Sequence, residues 1–150
     1  SYVRDKDGVD GAYMICEMFS YYATQGISLL DRLDELYKTY GYCLNTLHSY
    51  EFDGSAGFAR MQSIMQAFRG GIKEFGGKKV VRLLDYVQGL DGLPKSDVLK
   101  FLLEDNCSLV VRPSGTEPKL KIYISVSAEN KEMAEKVEDE IAKTAEKWIC

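Results

Sequence analysis

The sequence is poor in the residue types that build metal centres and disulfide frameworks. Its 150 residues include one histidine, His48, and four cysteines that are widely scattered and form no Cys-x-x-Cys pair. A structural zinc site needs closely spaced cysteine or histidine ligands, so no metal site is expected in this chain. The cysteines are predicted to be reduced thiols of a cytoplasmic protein, most of them in the core: Cys16, Cys43, Cys107 and Cys150.

Two further absences limit the partners. No apolar run approaches the roughly 20 residues of a transmembrane helix, and the first residues lack the basic and apolar regions of a signal peptide, so no membrane partner is expected. The net charge is −4, which argues against nucleic acid because phosphate backbones require a basic face. The chain opens on Ser1 rather than methionine, which suggests a piece of a longer protein.

The patterns that are present predict two helices followed by an α+β domain. Apolar residues recur at helical spacing from residue 8 to about residue 25 and again from residue 29 to residue 40, where Ser28 and Asp31 are predicted to form a capping box. The later segments read as strand, helix, strand, strand, strand and helix. They predict an antiparallel sheet of about four strands with helices packed on one face. Residues 96–103 fit a short helix and a strand equally well.

Helical periodicity also predicts which faces are buried. The first helix is expected to bury Ala12, Ile15, Cys16, Phe19 and Tyr22. Asn130 is predicted to cap a final helix whose buried side carries Met133, Val137, Ile141, Ala145 and Trp148.

A polar, stiffened loop lies between two predicted strands, residues 109–111 and 120–126. It reads Arg-Pro-Ser-Gly-Thr-Glu-Pro-Lys, from Arg112 to Lys119. The guanidinium of Arg112 suits two phosphate oxygens at once, the hydroxyls of Ser114 and Thr116 add donors, and Gly115 lets a ligand approach the backbone. The same residue types also build ordinary hairpin connections. On residue types alone, an anion site and a plain connection both remain open.

The loop offers no catalytic machinery of its own. It does not follow the Walker A pattern, and no nucleophile with an adjacent base is visible in the sequence. We therefore expect no catalytic residue in these 150 residues.

The eight-residue run resembles the phosphate-binding loop in the C-terminal domain of the α-D-phosphohexomutase superfamily, which comprises phosphoglucomutases and phosphomannomutases. Flanking stretches are similar as well, closest to the phosphoglucomutase and phosphopentomutase branch. They are Leu-Pro-Lys-Ser-Asp-Val-Leu at residues 93–99 with Glu104-Asp105, Gly-Lys-Lys-Val-Val at residues 77–81, and Asp85-Tyr86. The resemblance covers essentially the whole chain.

The resemblance implies a domain division and a fold. Residues 1–40 would be the C-terminal helices of the third, sugar-binding domain together with the hinge. Residues 41–150 would be the phosphate-binding C-terminal domain, with a fold like that of the TATA-box-binding protein.

The resemblance also implies a function. The full-length enzyme would interconvert sugar 1-phosphate and sugar 6-phosphate through a sugar bisphosphate and would require Mg²⁺. Its catalytic serine, magnesium and sugar loops would lie upstream, so the present piece is expected to be inactive. It would bind only phosphate or sulfate, with sugar phosphates and the missing upstream domains as its partners. The phosphate that is not transferred would be held by Arg112, Ser114, Gly115, Thr116 and, with less support, Lys119.

Two lesser candidates lie outside this loop. Lys6 stands in an Arg-Asp-Lys-Asp-Gly stretch that resembles the segment after the sugar loop, which implies a substrate contact. The carboxylates around it favour a helix N-terminus over a metal site. His48 is expected to be structural. An alternative function is a non-catalytic module that binds phosphosugars or another protein.

Overall fold

The computed structural model describes residues 6–54, 56–115 and 117–149. The chain divides into two compact units, one ending at Gly41 and the other beginning at Tyr42. Within the described residues, no helix is both long and apolar enough to cross a membrane.

The first unit consists of two capped helices. Helix α1 spans Gly8–Ala23, and the side chain of Asp7 accepts hydrogen bonds from the N–H groups at its start. Helix α2 spans Leu29–Tyr40, and Ser28 and Asp31 form the predicted capping box. Each cap satisfies backbone donors that have no partner within the helix.

The buried face predicted for α1 is wrong for this unit, because neither α1 nor α2 contains a buried residue. Ile15 and Phe19 are 59% and 57% exposed. Periodicity marks the face that a helix could bury, but two helices of 16 and 12 residues provide no further layer to cover it.

The second unit is an α+β domain, as predicted, but its sheet has six strands rather than about four. The strand order is β1-β6-β5-β4-β3-β2, and all neighbouring pairs are antiparallel. The strands are β1 (Tyr42–Glu51), β2 (Glu74–Phe75), β3 (Lys78–Asp85), β4 (Leu99–Leu103), β5 (Ser108–Pro113) and β6 (Lys119–Ala128). The helices are α3 (Ala56–Arg69), after β1, and α4 (Lys131–Glu146), after β6.

The two additional strands were missed for different reasons. Strand β2 has two residues, too few to show a period. Strand β4 resolves the ambiguity of residues 96–103, because Leu99, Phe101 and Leu103 are buried in alternation, which is the period of a strand.

Both helices of this unit lie against one face of the sheet, where α3 contacts β5 and α4 contacts β1, β2 and β6. The predicted alternation of β6 is confirmed: Leu120, Ile122, Ile124 and Val126 are fully or almost fully buried. Phe68, Phe75 and Phe101 pack with ring centroids 5.0–6.3 Å apart. The opposite face of the sheet, which no helix of this unit covers, is called the open face below.

Helix α4 agrees with the prediction in part. Asn130 caps it as expected, and the predicted Ile141 and Ala145 are buried. Met133 is 47% exposed instead, and Trp148 lies after the end of the helix and is 42% exposed. The other buried residues of the helix are Ala134 and Ala142, whose small side chains let it approach the sheet closely.

The cysteines differ in part from the prediction. Cys107 is buried, whereas Cys16 and Cys43 are exposed, and all three are free thiols. Cys150 lies outside the described residues.

Candidate functional site

The loop predicted as an anion site connects the end of β5 to the start of β6 and is closed by its own hydrogen bonds. The N–H of Ser114 donates to the carbonyl oxygen of Lys119 at 2.7 Å, and the N–H of Glu117 donates to the Ser114 hydroxyl at 3.3 Å. The N–H of Phe52 donates to the carbonyl oxygen of Pro118 at 2.9 Å, which ties the loop to the end of β1. These hydrogen bonds fix the described residues at the two ends of the loop, so less ordering is left there for a ligand to impose.

Arg112 pairs with Lys121 across the strands, so two positive side chains lie on the same open face. Cβ atoms of directly opposed residues are about 5 Å apart, and like charges at that distance destabilise a sheet. No carboxylate within ion-pair distance compensates either cation among the described residues. This pair is a candidate binding site for an anion.

Gly115 leaves open space beside the loop and does not adopt a backbone conformation that requires glycine. Its φ does not lie in the left-handed region, and a Cβ built on it would meet nothing within 4 Å. Its N–H donates to none of the described residues. The conformation thus permits any residue here, and what glycine provides is access to a backbone donor.

Lys119 is engaged by carboxylates in this ligand-free state. Its Nζ lies 3.1 Å from Glu51 Oε1 and 3.2 Å from Glu117 Oε2. The hydrogen bond to Glu51 and then that to Glu117 raise the pKa of Lys119. An anion would have to compete with both carboxylates for this ammonium group.

A cleft of about 350 Å³ adjoins the loop. One wall is residues 112–115, and the others come from α3 and from the segment before β4: Phe58, Met61, Gln62, Ser96 and Asp97. Asp97 is a negative group in a cleft proposed for an anion, and its Oδ1 lies 2.6 Å from Nη2 of Arg69.

Arg69, at the end of α3, also binds Asp85 at the end of β3, with Nε 2.8 Å from Oδ2. The hydrogen bond to Asp85 raises the pKa of Arg69 despite its partial burial. Partial burial by itself would raise the pKa of Asp85. Hydrogen bonds from Arg69 and from the N–H of Val87 outweigh it, so the pKa of Asp85 is lowered.

The other candidates fall in different places. Thr116 lies outside the described residues. Lys6 is exposed and directly precedes Asp7, the N-cap of α1, which agrees with the helix-cap interpretation of that acidic stretch. His48 has a structural contact, since its Nε2 lies 2.7 Å from Glu138 Oε1 and joins β1 to α4. No group of three potential metal ligands occurs among the described residues.

Sequence reasoning missed Lys121 and the Arg69–Asp97 pair as parts of the site. Strand alternation after Lys119 would have placed Lys121 on the open face, but only the register with β5 brings it opposite Arg112. The contact between Arg69 and Asp97 spans 28 residues and has no local signal.

A family model described as phosphoglucomutase/phosphomannomutase, C-terminal domain, matches residues 53–144. A phosphoglucomutase of Staphylococcus aureus is 37% identical over 141 residues, which cover 86% of this chain and 25% of that protein. A phosphoglucomutase of Staphylococcus epidermidis is 31% identical over 153 residues, which cover 93% of this chain and 28% of that protein. The chain thus spans about a quarter of the length of these relatives.

One solved structure is similar over nearly the whole chain. It is the open form of the exocytosis-sensitive phosphoprotein parafusin, a phosphoglucomutase from Paramecium, with a TM-score of 0.61. The match covers 99% of this chain and 27% of that one at 18% identity. At that identity the likeness shows the fold.

Proposed function

Because the chain belongs to the phosphoglucomutase/phosphomannomutase C-terminal domain family, we propose that it is the phosphate-anchoring end of a phosphohexomutase. In this proposal the loop from Arg112 to Lys119 holds the phosphate of a sugar phosphate that is not being transferred. The activity proposed for the whole protein is the interconversion of sugar 1-phosphate and sugar 6-phosphate.

The observation that carries the proposal is the Arg112–Lys121 cross-strand pair beside the N–H of Gly115. None of these three groups has an ion-pair or hydrogen-bond partner among the residues that the structure describes. Two positive charges and a backbone donor at one end of the sheet match a phosphate dianion, which has charge and several acceptor oxygens. The Ser114 side chain lies in the same loop and extends the donor set. A plain hairpin connection would not need two opposed, uncompensated cations.

The chemistry proposed for the whole enzyme proceeds in two phosphoryl transfers. An upstream phosphoserine would give its phosphoryl group to the sugar monophosphate, which becomes a bisphosphate. The bisphosphate would turn round, and its other phosphoryl group would return to the serine. The loop would hold a different phosphate in each half of the cycle, so its contacts should depend on the phosphate and not on the sugar.

This chain's own contribution would be binding and orientation. Binding energy gained at the remote phosphate would position the reacting phosphoryl group in the other half of the site. The described residues offer no cluster of three metal ligands, so no step through Mg²⁺ is assigned to them. A role for Lys6 in contacting substrate rests on the sequence resemblance alone.

The test is titration of residues 1–150 with inorganic phosphate at fixed ionic strength, followed by amide NMR. We expect the Gly115 amide and its neighbours to shift, with weak affinity because the rest of the enzyme's site is not in this chain. Arg112→Ala should weaken binding about tenfold or more, since a charged hydrogen bond contributes about 1.5–3 kcal/mol.

Arg82→Ala is the matched control, because Arg82 is an exposed arginine in β3 with no ion-pair partner among the described residues. It should leave phosphate binding unchanged. Equal losses in the two variants would mean that general surface charge, rather than the loop, attracts phosphate.

A further inference from the structure

A charged cluster outside the loop meets the same cleft. Arg69 lies between two carboxylates, with Nε 2.8 Å from Asp85 Oδ2 and Nη2 2.6 Å from Asp97 Oδ1. Its side chain is 17% exposed, and those of Asp85 and Asp97 are 30% and 32% exposed. These groups are only partly solvated, so water screens their charges less than it screens those of fully exposed side chains.

Asp97 is the member of the cluster that reaches the cleft, where it lines the same space as Ser114 and Gly115. An unpaired carboxylate in that position would repel a dianion bound to the loop. Because Asp97 is only 32% exposed, water and salt screen this repulsion less than they screen that between fully exposed charges. Arg69 supplies a positive charge 2.6 Å from Asp97, which it shares with Asp85.

The backbone around Asp97 shows that the cluster also fixes the cleft wall. The N–H of Ser96 donates to the carbonyl oxygen of Tyr86 at 2.9 Å, and the N–H of Tyr86 donates to that of Val98 at 3.0 Å. Arg69 joins this segment to the end of α3 through Asp97 and to the end of β3 through Asp85. The wall that faces the loop is thus held from two elements, the end of α3 and the end of β3.

We propose that Arg69 is a positioning residue of the phosphate site, which acts by neutralising Asp97 and holding it against α3 so that the cleft accepts a dianion. The inference rests on the proposed phosphate-binding function. It adds a residue that does not touch phosphate and whose effect passes through a carboxylate.

The test is a double-mutant cycle on residues 1–150 with inorganic phosphate as the ligand. Arg69→Met leaves Asp97 and Asp85 without their positive partner. It should weaken phosphate binding roughly fivefold, the size expected for one nearby charge whose interaction is screened by water. Asp97→Asn should bind phosphate as tightly as the wild type or more tightly. The double variant should recover most of the affinity that Arg69→Met loses, because the repelling charge is gone.

Two controls separate charge from folding. Arg69→Lys retains the positive charge and should lie between the wild type and Arg69→Met. Lys78→Met breaks an ion pair of the same length, 2.6 Å to Asp105, in the turn at the other end of β5, and should not change phosphate affinity. Amide spectra and thermal midpoints confirm that each variant is folded.

The outcomes distinguish this inference from the function on which it rests. If the wild type binds phosphate but Asp97→Asn does not rescue Arg69→Met, Arg69 serves only the fold and the inference is overturned. Unchanged affinity in Arg69→Met also overturns it while the phosphate site stands. If the wild type binds no phosphate, the proposed function fails and this inference fails with it.

Discussion

Gly115 distinguishes an anion site from a plain connection, because the two would require glycine for different reasons. A connecting turn would require glycine for a left-handed φ or for lack of space, and neither applies here. A ligand that approaches the backbone N–H would require the absence of a side chain. In the proposed phosphate site, access of the ligand to this N–H is the reason for glycine at this position.

Gly115→Ala is predicted to separate folding from binding. The folded state has room for the methyl group, and alanine restricts the unfolded chain, so stability should be unchanged or rise by up to about 1 kcal/mol. Phosphate affinity should fall because the methyl group covers the donor. Thermal unfolding and phosphate titration of the same sample measure both. A loss of stability with unchanged binding would contradict the role assigned to this glycine.

Ionised Asp85 contributes to the free energy of unfolding, and this contribution is lost at acid pH. Its pKa is lowered in the folded state, so its contribution is fully present above the unfolded value of about 3.9. That contribution is lost as the pH falls through the lower folded pKa. Asp85→Asn should therefore be less stable than the wild type near neutral pH, and the difference should shrink below about pH 4.

Chemical denaturation at several pH values checks this prediction. Asp34→Asn on the exposed side of α2 is the control, because Asp34 has no ion-pair partner among the described residues. If the Asp85 variant and the wild type differ by the same amount at every pH, the ion pair with Arg69 is not the source of the difference.

At the scale of elements, close packing of α4 on the β2–β3 turn explains why two adjacent glycines differ. Both have positive φ, 54° at Gly76 and 74° at Gly77. A Cβ at Gly76 would lie 2.6 Å from the backbone nitrogen of Ile141, whereas one at Gly77 would meet nothing within 4 Å. The N–H of Gly76 also donates to the Thr144 hydroxyl at 3.1 Å.

Substitution by alanine should therefore lower the free energy of unfolding by different amounts at the two positions. Gly77→Ala should lose about 1–2 kcal/mol from backbone strain alone. Gly76→Ala should lose a further 1–3 kcal/mol or so, because the helix backbone must move. Denaturant unfolding of both variants measures the difference. Equal losses would mean that α4 is not closely packed against this turn.

Helices and strands with a regular sequence pattern could be predicted. Features that depend on contacts between residues distant in the sequence could not. The alternation in β6 and the capping box of α2 were readable because each is encoded within a few neighbouring residues. The inner side of α4 was predicted only in part. Ile141 and Ala145 are buried as expected, but the close contact with the sheet also selects the small Ala134 and Ala142, while Met133 is 47% exposed. The loop was selected as a candidate site from its residues, and its role in binding stays a prediction. Its partners Lys121 and Asp97 required the strand register and the position of α3.

For the whole molecule, the proposed anion site is a local concentration of positive charge in a chain of net charge −4. We expect phosphate binding to weaken steeply as ionic strength rises from about 10 mM to 150 mM, because exposed charges are screened over about 8 Å at the upper value. Titrations in increasing sodium chloride check this, with denaturation midpoints as the control. Binding that does not depend on salt would argue against an electrostatic site.

Residues 1–150 are also predicted to bind sugar phosphates without catalysing their interconversion. Residues 1–150 should give no conversion of glucose 1-phosphate to glucose 6-phosphate, because no residue in them is assigned to phosphoryl transfer. A coupled assay for glucose 6-phosphate measures this, and turnover above a no-protein control would contradict the division of roles.

The central claim is that the loop binds the phosphate group and makes no contact that depends on the sugar. The most direct measurement compares amide shift maps of residues 1–150 with inorganic phosphate, glucose 1-phosphate and glucose 6-phosphate. We predict that all three shift the same amides around Gly115 with similar affinity and that Arg112→Ala weakens the binding of all three about tenfold or more. Shifts centred elsewhere, or none in the loop at millimolar ligand, would contradict the account.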